Sequence, residues 1–436
     1  MVKVDKIIPG GQALGTLDDG KKIFFWNALP GEIVSEYRIT KNKSHYIEAI
    51  ATKIDDPSPF RVAPKDDCFL STSPWQIIDY DYELQLKSEL VAEIFREHQI
   101  DITPPSVITD GHDYYYRNKM EYALYWDNNT DKISLAFHAR GSHRKIPITK
   151  SSIERPEIFQ KAEQIVADLN SRHEEARKYQ SLLLRCNQKG EVSGGLYENH
   201  HPHPVFKNLT DAIFGREYSY SPNGFFQINL PVYESALTEI KRHITTDKVL
   251  DLYSGVGTIG LSVASDRHLT LVESDNHAYR ELCKNCQRHN TIFHEEHNRR
   301  RGDYGATEPR DDGSEGAFRE EDSIMPKAIL AKSENTLDYI ESELTVILDP
   351  PRAGCAPKLI DRLLSVCPAK IIYLSCNPAT QARDVKLLLQ KYQIGTIESF
   401  NFFPHTPHIE NLVILNRKWH KNLHIIFIIV ILILYV

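Results

Sequence analysis

The sequence predicts an α/β protein with three parts: an OB-like β-barrel, an α+β central domain and a doubly wound, Rossmann-like domain. Residues 1–55 contain short alternating segments separated by the turns GG, DDG, PG and KNK, which is typical of a small antiparallel barrel. Residues 56–215 mix helical and aromatic-rich stretches. From residue 216 to residue 418, apolar runs bounded by turn residues alternate with helical stretches, as in a parallel sheet covered by helices.

Individual elements follow from these patterns in chain order. The barrel strands are predicted at KVDKII, KIFFWNAL, EIVSEYRIT and HYIEAIATKI. In the central part, the apolar spacing of residues 81–98 predicts a helix that packs on the C-terminal domain, and EIFQKAEQIVADL predicts a second helix. In the last part, the parallel strands are predicted at KVLDLY, LTLVES, LTVILDP and KIIYLS.

Composition excludes some classes of protein. The 436 residues are 41% apolar with a net charge of −7, so the chain can form packed cores and is not a uniformly basic nucleic-acid coat. Its seven cysteines show no regular framework, which favours reduced thiols and a cytoplasmic location. The apolar run at 425–436 is shorter than the ~20 residues of a spanning helix. Residues 419–436 are therefore interpreted as an atypical hydrophobic tail without stable membrane association.

One charged segment interrupts the C-terminal pattern. Residues 295–323 are rich in charged residues and glycine and have almost no aliphatic side chains. Such a composition cannot bury enough apolar surface to fold by itself. We therefore expect a disordered insertion there.

A glycine-rich loop is the first candidate ligand site. In DLYSGVGTIGL, residues 251–261, Gly255, Gly257 and Gly260 satisfy GxGxxG after an apolar strand, which fits an NAD-binding turn. Asp251 precedes the loop, where a carboxylate repels a pyrophosphate but attracts the ammonium and sulfonium of S-adenosylmethionine. Glu273, at the end of the next strand, suits the ribose hydroxyls of either ligand. The loop alone therefore leaves both cofactors open.

A second motif, LDPPRAG at residues 348–354, ends a later strand. Asp349 is predicted at the carboxyl end of this strand, where open parallel sheets bind ligands. Methyltransferases that act on exocyclic amines carry an aromatic residue after the proline pair to stack the planar nitrogen. Here that residue is Arg352, which instead suits a phosphate or a carbonyl. This difference disfavours amine methylation.

Cys376 follows the next apolar strand, in YLSCNPAT at residues 373–380, and we expect it at the same edge of the sheet. A polar turn followed by Arg383 favours a reactive thiolate over a buried thiol. A thiolate that adds to C6 of a pyrimidine makes C5 nucleophilic enough to accept a methyl group. A general base must then remove the C5 proton, and Glu410 in FFPHTPHIENLVIL, residues 402–415, is the candidate.

The segments DLYSGVGTIGL, LDPPRAG, YLSCNPATQARD and FPHTPHIE, in this order, resemble those of the 5-methyluridine RNA methyltransferases, which methylate uracil C5 in ribosomal or transfer RNA. FFQIN and YYYRNKMEYAL extend the resemblance over nearly the whole chain up to residue 418. The resemblance implies a class I methyltransferase fold, Cys376 as the nucleophile and Glu410 as the proton acceptor. It implies that the donor S-adenosylmethionine contacts Gln227, Tyr253, Glu273 and Asp349. GGQALG and PGE near the N-terminus resemble the family's RNA-binding TRAM barrel, so RNA is expected rather than a free nucleotide.

Several features bear on metals. Many family members hold an iron–sulfur cluster with four cysteines, whereas the matching segment PKDDCFLSTSPWQ keeps only Cys68, so neither a cluster nor another metal is predicted. Cys283 and Cys286 lie along a predicted helix without a second pair, and NHHPHP at 199–204 lacks a fixed ligand spacing. The insertion at 295–323 lies beside the segment that binds the ribose in this family. The resemblance therefore leaves open which residues near Ser333 and Glu334 contact the donor.

A flipped uridine requires polar and cationic side chains at the crevice, and the candidates are Arg117, Asn118, Lys119 and Arg352. The TRAM-like barrel favours 23S rRNA over tRNA, which remains the alternative. DNA is not expected as a partner, and a monomer is expected. Two other interpretations stay open: a dinucleotide-dependent oxidoreductase that uses GVGTIG, and an RNA-binding protein without catalytic activity.

Overall fold

The structure, a computed structural model, describes residues 1–202, 204–302 and 325–418, and the side chains within these ranges except those of 290–302. The helices are α1 Phe69–Thr72, α2 Tyr80–Glu97, α3 Pro156–Ser171, α4 Leu230–Arg242, α5 Thr258–Val263, α6 Asn276–Gly302, α7 Pro357–Val366 and α8 Pro378–Leu388. The strands are β1 Val2–Ile7, β2 Ala13–Thr16, β3 Lys22–Trp26, β4 Ile33–Asn42, β5 Tyr46–Asp56, β6 Val107–Ile108, β7 Lys119–Asp127, β8 Lys132–His138, β9 Lys145–Pro147, β10 Tyr179–Cys186, β11 Val192–Glu198, β12 Leu209–Ile213, β13 Arg216–Tyr220, β14 Lys248–Leu252, β15 His268–Glu273, β16 Lys327–Leu330, β17 Leu344–Leu348, β18 Lys370–Ser375, β19 Tyr392–Phe400 and β20 Glu410–Arg417.

Two predicted segments fall partly or wholly outside these ranges. The hydrophobic tail, residues 419–436, lies outside the described residues, and so does the part of the predicted insertion from 303 to 323. Residues 295–302 belong to α6. The helix therefore continues from the folded domain into the charged sequence, and disorder of the insertion stays a prediction.

The N-terminal strands form the predicted barrel. The barrel is closed, with the strand order β1-β2-β3-β5-β4. Alternate residues of β3, Ile23 and Phe25, are buried, because successive side chains of a strand point to opposite faces. The barrel differs from the predicted antiparallel one in a single pairing, since β3 and β5 run parallel.

The middle of the chain folds around a separate sheet. Five strands in the order β11-β10-β7-β8-β9 form this sheet, and α3 packs against it through Ile158, Ala162 and Leu169. The hairpin of β12 and β13 follows. These elements constitute an α+β region between the barrel and the last sheet.

The C-terminal sheet has eight strands in the order β16-β15-β14-β17-β18-β20-β19-β6. The strands β16, β15, β14, β17 and β18 are mutually parallel, as predicted, whereas β20 is antiparallel to both β18 and β19. The antiparallel β20 therefore begins at the edge where the parallel strands end. The edge strand β6 comes from the central part of the sequence and pairs with β19. The C-terminal sheet therefore includes a strand from before the predicted domain boundary at residue 215.

The last sheet is covered on both faces. Along β17, Ile347 belongs to one apolar cluster, whereas Val346 and Leu348 belong to the other. One cluster contains side chains of α4, α5 and α6, and the other contains side chains of α2, α7 and α8. Burial on both faces explains why the strands read as continuous apolar runs.

The helix α2 connects the barrel with the last sheet. Asp79 caps its first turn by accepting a hydrogen bond from the Tyr82 amide at 3.2 Å, and such a cap stabilises a helix start. Leu86 and Leu90 pack in the barrel cluster, whereas Val91 and Phe95 pack against the sheet. The predicted helix therefore lies on the C-terminal domain and also carries the barrel. Within the described ranges, no helix is both long and apolar enough for a membrane span.

Candidate active site

The glycine-rich loop connects β14 with α5 and is held from below by two acidic residues. Asp251 is fully buried, and its Oδ2 accepts a hydrogen bond from the Gly260 amide at 2.9 Å. Glu273, at the end of β15, accepts from the Gly255 amide at 2.8 Å. Gly257 has a left-handed backbone (φ 89°), and a Cβ there would lie 2.6 Å from the Leu282 side chain. Only glycine therefore allows this loop to pack on α6.

Four of the predicted donor-binding residues line one small pocket, of about 30 Å³, above this loop. They are Gln227, Tyr253, Gly255 and Asp349. Phe225 and Tyr233 also line the pocket. Of the other three predicted residues, which do not line it, Asp251 and Glu273 hold the loop through its amides, and Gly257 is part of the loop.

Burial perturbs one carboxyl group that lines this pocket, Asp349, and one that holds the loop, Asp251. It raises the pKa of Asp251 to about 8, and the nearby charges of Asp349 and Glu273 raise it further, although the Gly260 hydrogen bond opposes them. Burial also raises the pKa of Asp349 to about 7. The second oxygen of Asp251 has no hydrogen-bond partner among the described residues. A cationic ligand in this pocket would restore the charged forms of both groups.

Cys376 and Glu410 meet because of the strand order. β18 and β20 pair with Ser375 opposite Asn411, so the next position places Cys376 beside Glu410 at the carboxyl edge of β18. Asp349 follows β17, the neighbour of β18 on the other side. The sheet therefore brings the predicted nucleophile, the predicted base and the DPPR aspartate to one edge.

The electrostatics of these groups are mutually dependent. Burial raises the pKa of the Cys376 thiol to about 11, the charges of Glu410 and Asp349 add to this rise, and Arg352 opposes it. Burial raises the pKa of Glu410 well above its usual value, with a contribution from Asp349 in the same direction and from Arg352 in the other. Glu410 is 4% exposed. Burial therefore disfavours the charged forms of both groups, and Arg352 is the cation that opposes this effect.

This finding corrects one prediction from the sequence. Arg383 was expected to activate the thiol, but its guanidinium forms an ion pair with Asp384 at 2.7 Å and donates to the Ala353 carbonyl at 3.1 Å. Arg352 is instead the cation near the Cys376 thiol, because the turn after β17 folds back onto the start of α8. Asn377 and Thr380 donate to the Arg352 carbonyl at 2.8 and 3.1 Å.

A larger cavity, of about 210 Å³, opens beside Cys376. Its wall includes Arg352 and Asn377, His408 from the segment before β20, and Lys87 from α2. Pro9 and Gly10 of the barrel close one side. The barrel and the last sheet therefore share one cavity, and the thiol faces it.

The segment from 401 to 409, the base loop, precedes Glu410 and is held by α2. Lys87 is buried and donates to the Asn401 side chain at 2.6 Å and to the Phe403 carbonyl at 3.1 Å. Its partner Glu83, at 2.7 Å, accepts from the His405 amide at 2.9 Å. These two residues were missed in the sequence, because a Glu and a Lys spaced i, i+4 on a helix ordinarily form a solvated pair.

The remaining predicted substrate residues have different environments. Asn118 is buried and donates to the Gln227 carbonyl at 3.0 Å, so it supports the donor pocket. Lys119 donates to the carbonyls of Asn223 and Gly224, and burial lowers its pKa to about 8. Arg117 is half-buried, and its Nε donates to the Lys119 carbonyl at 3.0 Å. Of the four candidates, only Arg352 lines the cavity beside Cys376.

The potential metal residues lie apart from this site. All seven cysteines are free thiols, and Cys68 is buried in the apolar cluster of the central domain. Cys286 packs in the last domain from α6, whereas Cys283 is half-buried on the same helix. Within the described part of the chain, no group of three or more His, Cys, Asp or Glu residues is placed to hold a metal ion.

The closed barrel, the doubly wound sheet and the loop with its acidic support fit a protein with a methyltransferase fold. Residues 334–418 match the tRNA (Uracil-5-)-methyltransferase family. An uncharacterized RNA methyltransferase of Prochlorococcus marinus is 29% identical, over 89% of this chain and 99% of that protein. Another, from Lactobacillus johnsonii, is 28% identical over 92% of this chain and 94% of that protein. The family match and these RNA methyltransferase relatives agree with the family predicted from the motifs.

The fold is similar to that of a solved structure. The tRNA (uracil-54, C5)-methyltransferase of Pyrococcus abyssi, in complex with S-adenosyl-L-homocysteine, superposes with a TM-score of 0.70. The two proteins share 22% of their residues, and the match covers 95% of this chain and 99% of that chain. This likeness confirms the predicted combination of an N-terminal barrel with a methyltransferase fold.

Proposed function

We propose that this protein methylates C5 of a uridine in RNA, with Cys376 as the nucleophile and Glu410 as the general base. The observation that carries the proposal is the register of β18 and β20, which places Cys376 beside Glu410 at the strand edge that also carries Asp349. The thiol faces a cavity next to the donor pocket. A nucleophile, a base and a methyl-donor pocket are the groups that this reaction needs.

The residues act in a fixed order. The Cys376 thiolate forms a bond to C6 of the uracil, and the ring becomes an enolate that is nucleophilic at C5. S-adenosylmethionine supplies the electrophilic methyl group at C5. The Glu410 carboxylate then takes the C5 proton, and the S–C6 bond breaks as the C5=C6 double bond re-forms. The raised pKa of Glu410 makes its carboxylate a stronger base than an exposed glutamate.

The donor pocket suits a cationic ligand. Asp251 has one oxygen without a hydrogen-bond partner among the described residues, and its pKa is raised to about 8 by burial. An ammonium or sulfonium nearby favours the carboxylate, whereas a pyrophosphate disfavours it. Gln227, Tyr253 and Asp349 line the pocket and would contact this donor. Glu273, which accepts from the Gly255 amide of the loop, is the candidate partner of the ribose hydroxyls of the donor. Titration with S-adenosylmethionine and with NADH separates this proposal from an oxidoreductase.

We propose 23S rRNA as the substrate, because a TRAM-like barrel is more typical of the rRNA members of the family. Pro9 and Gly10 of the barrel line the cavity that Cys376 faces, which supports a role of the barrel in RNA binding. The tRNA alternative is tested by mapping 5-methyluridine in rRNA and tRNA from cells with and without the gene. An rRNA substrate and reduced thiols agree with a monomeric enzyme of the cytoplasm.

Two variants test the chemistry in vitro. We expect Cys376→Ser to abolish transfer of a labelled methyl group and to form no covalent adduct with RNA that contains 5-fluorouridine. Cys283→Ser is the matched control, because Cys283 is also a half-buried free thiol but lies on α6. Unimpaired turnover of Cys376→Ser contradicts the mechanism.

Glu410→Gln tests the base separately. The thiolate still adds and the methyl group is still transferred, but the C5 proton stays in place, so a methylated RNA–protein adduct accumulates. Glu398→Gln is the control, because Glu398 is a half-buried glutamate on the adjacent β19. A Glu410→Gln protein that completes turnover without adduct accumulation excludes Glu410 as the base.

A further inference from the structure

Tyr115 combines two features that are costly for a tyrosine. Its side chain is 53% exposed, and its backbone has a φ of 57° in the left-handed region. Left-handed conformations are uncommon for residues other than glycine and, for a bulky side chain, are associated with turns, strain or function. No hairpin turn accounts for this conformation, since Tyr115 lies between the strands β6 and β7.

The backbone around Tyr115 is firmly held. The Tyr115 amide donates to the Ser152 carbonyl at 2.9 Å, and the Arg117 amide donates to the Ile153 carbonyl at 2.9 Å. On either side of Tyr115, neighbouring tyrosines point into the protein. Tyr116 is buried and donates from its hydroxyl to the Pro404 carbonyl at 3.0 Å. Tyr115 is therefore displayed on the surface by a rigid support.

The base loop contacts the tyrosines on both sides of Tyr115. The Tyr114 ring lies 4.3 Å from the His405 ring, centroid to centroid. Its other contact is the Lys65 ammonium, at 3.5 Å from the ring centroid. The base loop also supplies Pro407 and His408 to the cavity that Cys376 faces. The two neighbours of Tyr115 in sequence, Tyr114 and Tyr116, therefore contact the same loop that forms one wall of the cavity beside Cys376.

We propose that Tyr115 is a stacking platform for an unpaired RNA base that neighbours the target uridine. This inference rests on the proposed function, since it assumes that a uridine is flipped into the cavity. Extrusion of one nucleotide unstacks its neighbours, and aromatic side chains stack such bases in single-stranded RNA. Arg117 on the same segment and Lys65, which lies over the Tyr114 ring, supply positive charge for the backbone phosphates, while Asp113 is engaged by His405 at 3.1 Å.

Substitution by glycine tests this role without harm to the fold. Glycine accepts a left-handed φ more readily than tyrosine does, so Tyr115→Gly is expected to keep or raise the thermal unfolding midpoint. The Michaelis constant for RNA should rise by about fivefold to about a hundredfold, the range expected for one stacked base. The rate at saturating RNA should stay within about twofold of wild type, and Tyr115→Phe should behave like wild type because a phenyl ring also stacks.

Phe214 provides a matched control. It is also an exposed aromatic residue, at 40%, with a left-handed φ of 50°, but it lies in the tight turn between β12 and β13, where such backbones are normal. Phe214→Gly is expected to leave the Michaelis constant for RNA unchanged. The wild type is first tested with rRNA and tRNA pools from cells that lack the gene. The pool that the wild type methylates is then used to assay all variants.

The outcomes separate the inference from the function on which it rests. If wild type methylates uridine and Tyr115→Gly retains the wild-type Michaelis constant, the stacking role is overturned. The stacking role also fails if Tyr115→Gly and Phe214→Gly raise the constant equally, or if Tyr115→Phe loses as much as Tyr115→Gly. If wild type methylates neither pool, the proposed function fails instead.

Discussion

Loss of the Lys87 ammonium is expected to destabilise the protein by about 3–5 kcal/mol, the cost of leaving one partner of a buried ion pair uncompensated. Lys87 and Glu83 are both fully buried at the side chain, and their charged groups lie 2.7 Å apart. The ammonium has three N–H donors, and they face Glu83, the Asn401 side chain and the Phe403 carbonyl. Lys87→Met removes all three bonds and leaves the Glu83 carboxylate without its cation.

Two opposing contributions set this magnitude. Hydrogen bonds to charged groups each contribute about 1.5–3 kcal/mol, so three of them amount to about 4.5–9 kcal/mol, which begins within the net figure and extends above it. Burial of the ammonium, which lowers the pKa of Lys87, offsets part of that gain. A second substitution, Glu83→Gln, should recover part of the loss in the Lys87→Met background, because it removes the unpaired charge.

Urea unfolding followed by tryptophan fluorescence measures the effect. The Lys87 ammonium lies 5.8 Å from the Trp75 ring, so the emission reports on this region. Lys161→Met is the control, because Lys161 is an exposed lysine of α3, and a change within about 0.5 kcal/mol is expected there. A loss below about 1 kcal/mol for Lys87→Met would refute the reasoning, since the ammonium would then not compensate a buried carboxylate.

Two further predictions concern the donor loop and the barrel contact. Burial raises the pKa of Asp251 to about 8, above its value of about 3.9 in an unfolded chain. The folded state therefore binds more protons than the unfolded state, and it loses stability as pH rises from about 4 to about 8. Asp251→Asn should therefore stabilise the ligand-free protein increasingly over this range, and a difference in unfolding midpoint that does not vary with pH contradicts this. A Cβ at Gly11 would lie 2.2 Å from the Pro407 side chain of the base loop, whereas one at Gly10 meets nothing within 4 Å. Both glycines have a positive φ, so the backbone strain of an alanine is common to both variants. Gly11→Ala should therefore lower the free energy of unfolding by about 1–3 kcal/mol more than Gly10→Ala does, and it should lose more methyl transfer. Equal effects of the two variants in unfolding and activity assays rule out a functional contact between barrel and loop.

Much of the site followed from the sequence because the chemistry is concentrated at strand ends. Asp349 and Cys376 each come directly after an apolar run, and parallel strands bring their carboxyl ends to one edge. Glu410 reaches this edge only because β20 is antiparallel to β18. Nothing in the apolar run NLVIL indicates that direction.

Other parts of the site depend on contacts between residues that are distant in sequence. Arg383 is close to Cys376 in sequence but pairs with Asp384, whereas the distant Arg352 lies next to the thiol. Lys87 is more than 300 residues from the Asn401 amide that it contacts, and a helix pattern does not reveal such a partner. The predicted substrate residue Asn118 proved to be a buried support of the donor pocket.

The sequence by itself determined the elements, the glycine loop and the reactive residue types, because period, turn chemistry and nucleophile identity are local properties. Tertiary structure alone decided which cation faces the thiol, which helix holds the base loop and which tyrosine of the segment 114–116 is exposed. The physical reason is that pKa values, burial and hydrogen-bond partners depend on the surroundings of a group in space. Those surroundings come from the turn after β17, from α2 and from the barrel, all of which are distant from Cys376 in sequence.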